Sequence, residues 1–180
     1  MLMLAFLAIS CEEAEEDEPD FPPLDRGNVS ANGYLLLLED VKTSAIDTFG
    51  FGSMTQSSGN FDTIFLDTAV NSTRRYEYSL LYFNNGQNVT TNLKQQAERY
   101  VNCFREFDTR DIRIIEESED SNGDKLGLDG IWAIDFNANT PGTGNFKITL
   151  NYNSLAKQGN ACDPGVRIFE AIVPYKLIIN

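Results

Sequence analysis

The 180-residue chain contains no histidine. That excludes Ser-His-Asp and Cys-His catalysis and every histidine-ligated zinc or haem site. It is short of positive charge: 14 Lys and Arg stand against 27 Asp and Glu, for a net charge of −13. Such a balance repels a phosphate backbone and argues against nucleic acid as a partner. Cysteine is scarce, with three residues, and tryptophan occurs once. GxSxG, P-loop and CxxC motifs are all absent, so acyl-transfer, nucleotide and thiol-redox chemistry have no sequence support. The chain is read as a non-enzyme. Long apolar runs are missing as well. The longest, Met1 to Ile9, rises only about 14 Å as a helix, half of a ~30 Å hydrocarbon core.

What is present begins with an address. The apolar run leads to Ser10 and Cys11. This order reads as a signal peptide over residues 1–10, ending at a cysteine. Leu7-Ala8-Ile9-Ser10-Cys11 resembles a bacterial lipobox, which implies cleavage before Cys11 and lipid attachment to it. Seven acids follow within nine residues (Glu12, Glu13, Glu15, Glu16, Asp17, Glu18, Asp20), ahead of Pro22-Pro23. A run of like charge stays solvated and extended, so residues 11–31 read as a tether. An acidic run placed directly after such a cysteine resembles the surface-export signal of Bacteroidota lipoproteins. The implied location is the outer membrane at the cell surface, with a periplasm-facing anchor as the alternative. Outside this run the net charge is only −6.

Residues 32–180 carry period-two alternation. Phe146, Ile148, Leu150 and Tyr152 form one apolar face. So do Phe169, Ala171, Val173, Tyr175, Leu177 and Ile179; Tyr76, Tyr78, Leu80 and Tyr82; and Trp132, Ile134 and Phe136. Further strands are expected over residues 34–39, 61–69, 101–107 and 112–117. Both faces of 61–69 are apolar, which predicts a central strand. Asn85-Gly86 predicts a hairpin turn, and Pro174 an edge strand or a bulge. Thr90 is expected to cap one short helix running to Tyr100. Together these predict a mainly β fold, an antiparallel immunoglobulin-like β-sandwich of about seven or eight strands with one short helix. Most of the seven Tyr and the one Trp lie on the apolar stripes, which assigns them to the core rather than to sugar stacking.

The stretches Asp120-Ser-Asn-Gly-Asp-Lys-Leu-Gly-Leu128, Pro141-Gly-Thr-Gly-Asn-Phe-Lys-Ile-Thr-Leu150 and Gly159-Asn-Ala-Cys-Asp-Pro-Gly165 resemble a family of small Bacteroidota lipoproteins. The likeness covers about the last 65 residues. Members are often labelled as having a type 1 periplasmic-binding fold, whereas period-two alternation points to a sandwich here. The resemblance implies an accessory or binding subunit accompanying a TonB-dependent β-barrel transporter. The alternative is a structural or adhesive surface protein, stabilised by calcium, with no small ligand.

Two patterns hold candidate sites. With Cys11 acylated, Cys103 and Cys162 remain in an oxidising compartment, where an even pair forms a disulfide or stays as two thiols. The segment 118–130 has the outline of a calcium loop with Gly123 at its sharp turn. Ser118, Asp120, Asn122, Asp124 and Asp129 would be the ligands of a Ca²⁺ ion. The same residue types also serve a plain polar turn. The loops expected to meet a partner are 49–60, 118–130 and 157–166.

Overall fold

In the computed structural model, the residues described are 29–51, 63–68, 72–105, 112–135, 142–153, 155, 157, 162 and 165–179. They form a β-sandwich of ten strands in two sheets. Sheet A holds β1 (Gly33–Asp40), β2 (Ile46–Phe51), β4 (Thr73–Asn84), β7 (Ile112–Glu119) and β8 (Lys125–Asp135), in the order β2-β1-β4-β8-β7. The two-residue β5 (Gln87–Asn88) pairs with β4 across the Asn85-Gly86 hairpin. Asn85 and Gly86 have φ of 49° and 84°, the left-handed pair that a tight hairpin needs. Sheet B holds β3 (Ile64–Thr68), β6 (Tyr100–Arg105), β9 (Thr143–Tyr152) and β10 (Val166–Ile179), in the order β3-β10-β9-β6.

The expected stripes are the inner faces. Tyr34, Leu36 and Leu38 of β1, the Tyr76–Tyr82 stripe of β4, and Trp132 and Ile134 of β8 face Phe146–Tyr152 of β9 and Phe169–Leu177 of β10. Trp132 is the centre of an aromatic cluster spanning both sheets. Its ring centroid lies 5.1 Å from Phe104, 5.5 Å from Phe146 and 5.7 Å from Tyr78. Such contacts add about 0.5–1.5 kcal/mol each beyond the area they bury. Tyr82 and Tyr34 pack on Phe169 from the opposite sheet, closing the other end.

One polar node ties the sheets together. Asn102 is fully buried; its side-chain amide donates to Gly127 O at 2.8 Å and accepts from the Tyr82 hydroxyl at 2.6 Å. Gly127 makes this approach possible. Its φ is 73°, and a Cβ there would lie 2.4 Å from Asn102 O. A buried amide is tolerated only when its groups are satisfied in this way.

Several details differ from expectation. The described residues form ten strands rather than about seven or eight. The sandwich is not wholly antiparallel, because β3 runs parallel to β10 over Ile64–Thr68. Nor is β3 central. Among the described residues it lies at the edge of sheet B, with Ile64 and Leu66 turned inward and Phe65 52% exposed on the outer side. An apolar residue on a sheet's outer face mimics the pattern of a doubly covered strand. The helix α1 covers only Thr90–Gln95, and a 3₁₀ turn at Ala97–Arg99 follows. Thr90 is not its cap: Val89 holds that position, the Thr90 N–H donates to Asn88 Oδ1, and Thr90 Oγ1 accepts from Tyr82 N. The chain leaves the helix early because Tyr100, fully buried, opens β6 opposite Tyr152.

Pro174 lies in an interior strand, yet the pairing accommodates it. Leu177 N donates to Gly142 O on the β9 side. Amide directions alternate along a strand, so position 174 faces away from β9, one residue before β3 begins to pair at Tyr175. The bulge in β10 occurs instead between Arg167 and Phe169.

Candidate functional site

The 118–124 segment is a turn organised around Asp120. Its Oδ1 accepts from Asn122 N at 2.8 Å and from Asp124 N at 2.9 Å, and its own N–H donates to Asp124 O. Its other oxygen, Oδ2, lies 3.0 Å from Lys157 Nζ. The side chains of Asp120 and Lys157 are 0% and 1% exposed. Burial alone would raise the Asp120 carboxyl, but the Asp124 amide, the Lys157 ammonium and the Asn122 amide together hold it below its ordinary 3.8.

The remaining members of the expected calcium set are engaged elsewhere. Ser118 Oγ accepts from Leu128 N and Asp129 N. Asp129 extends from β8 to Lys94 at 2.9 Å and to Ser79 Oγ at 2.9 Å. The structure therefore keeps Asp120, Asn122 and Asp124 in one turn and places Asp129 in a separate ion pair. Among the described residues no group of three Asp, Glu or Cys side chains is placed to hold a metal.

Cys103 and Cys162 form a disulfide, with Cα atoms 5.8 Å apart, across 59 residues of chain. It fastens the segment between β9 and β10 onto the outer face of sheet B. Asn151 Nδ2 donates to Cys162 O beside it, and Val101, Cys103, Thr149 and Asn151 are buried there. Earlier in the chain, after β9, Asn153 N donates to Arg99 O and Lys157 N to Glu98 O. Cys11, residues 1–28 and most of the 49–60 loop lie outside the described residues.

The outer face of sheet A carries an open depression, and the register explains its character. Glu39 on β1 stands directly opposite Glu77 on β4 and Ile46 on β2. Glu77 in turn stands opposite Ile131 on β8, which pairs with Glu116 on β7. One row along, Leu37, Ser79 and Asp129 are in line. These residues line an open depression of about 430 Å³. Like charges directly opposite on neighbouring strands destabilise a sheet. Glu39, Glu77 and Glu116 make no ion pair among the described residues, and Ile46, 59% exposed, stands at the end of the row beside Glu39. Lys94 pairs with Asp129 at one side of the depression; further along stand Arg75, two residues from Glu77, and Arg113, paired with Asp135.

Sequence reading did not find this face. The glutamates belong to three strands, and only the register places them together. It also missed Lys157, which carries no local signal because its partner belongs to a distant turn. No protein-family model matches the chain, and no curated protein matches it.

Proposed function

We propose that this chain is a lipid-anchored outer-membrane lipoprotein, exposed at the cell surface, that acts by binding rather than by catalysis. In this reading it is an accessory subunit of a TonB-dependent uptake system. Acyl chains on Cys11 hold it to the membrane, the acidic tether over residues 11–31 gives reach, and the sandwich meets the partner. The anchor rests on the order of apolar run, Ser10, Cys11 and acidic run.

The observation that carries the binding role is the outer face of sheet A. Three glutamates that make no ion pair among the described residues, with an exposed isoleucine, surround one depression and complement a partner segment that is cationic and partly aliphatic. Charge complementarity of this kind sets association rate and partner choice more than raw affinity.

The anchor is tested by the intact mass of the chain extracted from membranes. The expected species begins at Cys11 and carries three acyl chains. A chain that begins at Met1 with a free Cys11 thiol contradicts the reading.

A further inference from the structure

Three oxygens surround Lys157 Nζ: it donates to Ala97 O at 2.5 Å and Tyr100 O at 2.9 Å, and it forms an ion pair with Asp120 Oδ2 at 3.0 Å. One is anionic and two are backbone carbonyls, and all three converge on one buried positive centre. Oxygen-only donor sets of this kind are what hard cations take. The Asp120 carboxylate is fixed in place, because its other oxygen is held by the Asn122 and Asp124 amides. Ala97 and Tyr100 are fixed too, by the 3₁₀ turn and by the start of β6. The socket is therefore built by elements that do not depend on Lys157, and Lys157 enters it from the segment fastened by the disulfide.

We infer that the Asp120 turn, Ala97 O and Tyr100 O form an internal cation site whose resident ion is the Lys157 ammonium, and that removing this ammonium opens the site to a free small cation. The outline of a calcium loop then has a physical meaning. The turn does gather oxygens around a positive charge, but the charge is supplied by the chain. Two donors, Ala97 O and Tyr100 O, come from outside the loop, and Asp129 is not among them. With Lys157 in place, a positive charge 3.0 Å from Oδ2 opposes a second cation. Without it, a carboxylate would be buried with no counter-charge, the condition under which an ion is most strongly drawn in. The inference is independent of the proposed binding role.

The test is thermal melting of the full chain and of its Lys157→Ala variant in chelator, in calcium chloride and in n-propylammonium chloride. The propylammonium replaces the three carbons and the nitrogen that the substitution removes. Tetramethylammonium chloride, too large for the socket, controls for ionic strength. The unsubstituted chain is expected to melt at the same temperature in all four. The variant is expected to melt several degrees higher in calcium or propylammonium than in chelator or tetramethylammonium. Should the variant fail to fold in chelator, the refolded fraction with and without the two small cations is the readout, and recovery supports the site. A variant that responds to neither ion, or an unsubstituted chain that responds as strongly as the variant, overturns it.

Discussion

Asp120→Ala lowers stability by about 3–5 kcal/mol, the cost of leaving one partner of a buried ion pair uncompensated. Lys157 Nζ then retains two carbonyls but no counter-charge. At about 2–4 °C per kcal/mol for a domain of this size, the melting temperature falls by about 10 °C. The double substitution Asp120→Ala with Lys157→Met removes both charges, so it recovers the part of the loss that comes from the uncompensated ammonium, while the Asn122 and Asp124 amides stay without their Oδ1 acceptor. Urea denaturation of the three chains separates the two effects, since a merely disrupted turn would leave the double variant as weak as the single one. The same pair governs acid sensitivity. The Asp120 carboxyl is held below 3.8 in the folded chain. A group depressed on folding contributes stability that is fully present above its unfolded value and lost as pH falls through its folded value. Asp40, paired with Arg74, and Asp135, bound to Thr73 and Arg113, are shifted in the same direction. Stability is therefore constant with pH on their account above about 5 and declines below about 4, and Asp120→Ala flattens that decline.

Removing the Cys103–Cys162 bond costs a further 3–4 kcal/mol, on the order expected for cross-linking a loop of this length. The double substitution to alanine is the informative variant, because a lone thiol would remain buried at position 103. The loss is local before it is global. The segment around Cys162 loses its attachment to sheet B, and Val101, Thr149 and Asn151 lose their cover. Hydrogen exchange of β6 and β9 on that face accordingly rises ahead of exchange in β4 and β8. Unfolding midpoints that coincide with and without reductant would show that the bond adds no stability.

The legible part of this fold was the part written at period two. The stripes on Tyr76–Tyr82, Phe146–Tyr152 and Phe169–Leu177 each follow from side chains alternating across a pleated strand, and each is an inner face of the sandwich. Asn85-Gly86 was legible for a similar reason, since the backbone needs positive φ there. Reading failed where a residue's place depends on another strand. Phe65 looks like core from sequence and is exposed because β3 pairs on one side only among the described residues. Thr90 looks like a cap, yet its hydroxyl is taken by the β4 backbone. The 118–130 outline was legible as a gathering of oxygens, but its counter-ion was not, because Lys157 arrives from beyond β9. The acidic face of sheet A was invisible for the same reason: Glu39, Glu77 and Glu116 become neighbours only through pairing.

That face is where the proposed function can be tested most directly. An affinity-tagged chain and its Glu39→Lys, Glu77→Lys variant are purified from native outer membranes in mild detergent, and co-purifying proteins are identified by mass spectrometry. Matching melting temperatures establish that both chains are folded. The unsubstituted chain is expected to recover a large outer-membrane β-barrel. The variant is expected to recover about tenfold less, a loss of roughly 1.4 kcal/mol in binding. Recovery of the unsubstituted chain alone, or of the same β-barrel in equal amount with both chains, would contradict the proposed function.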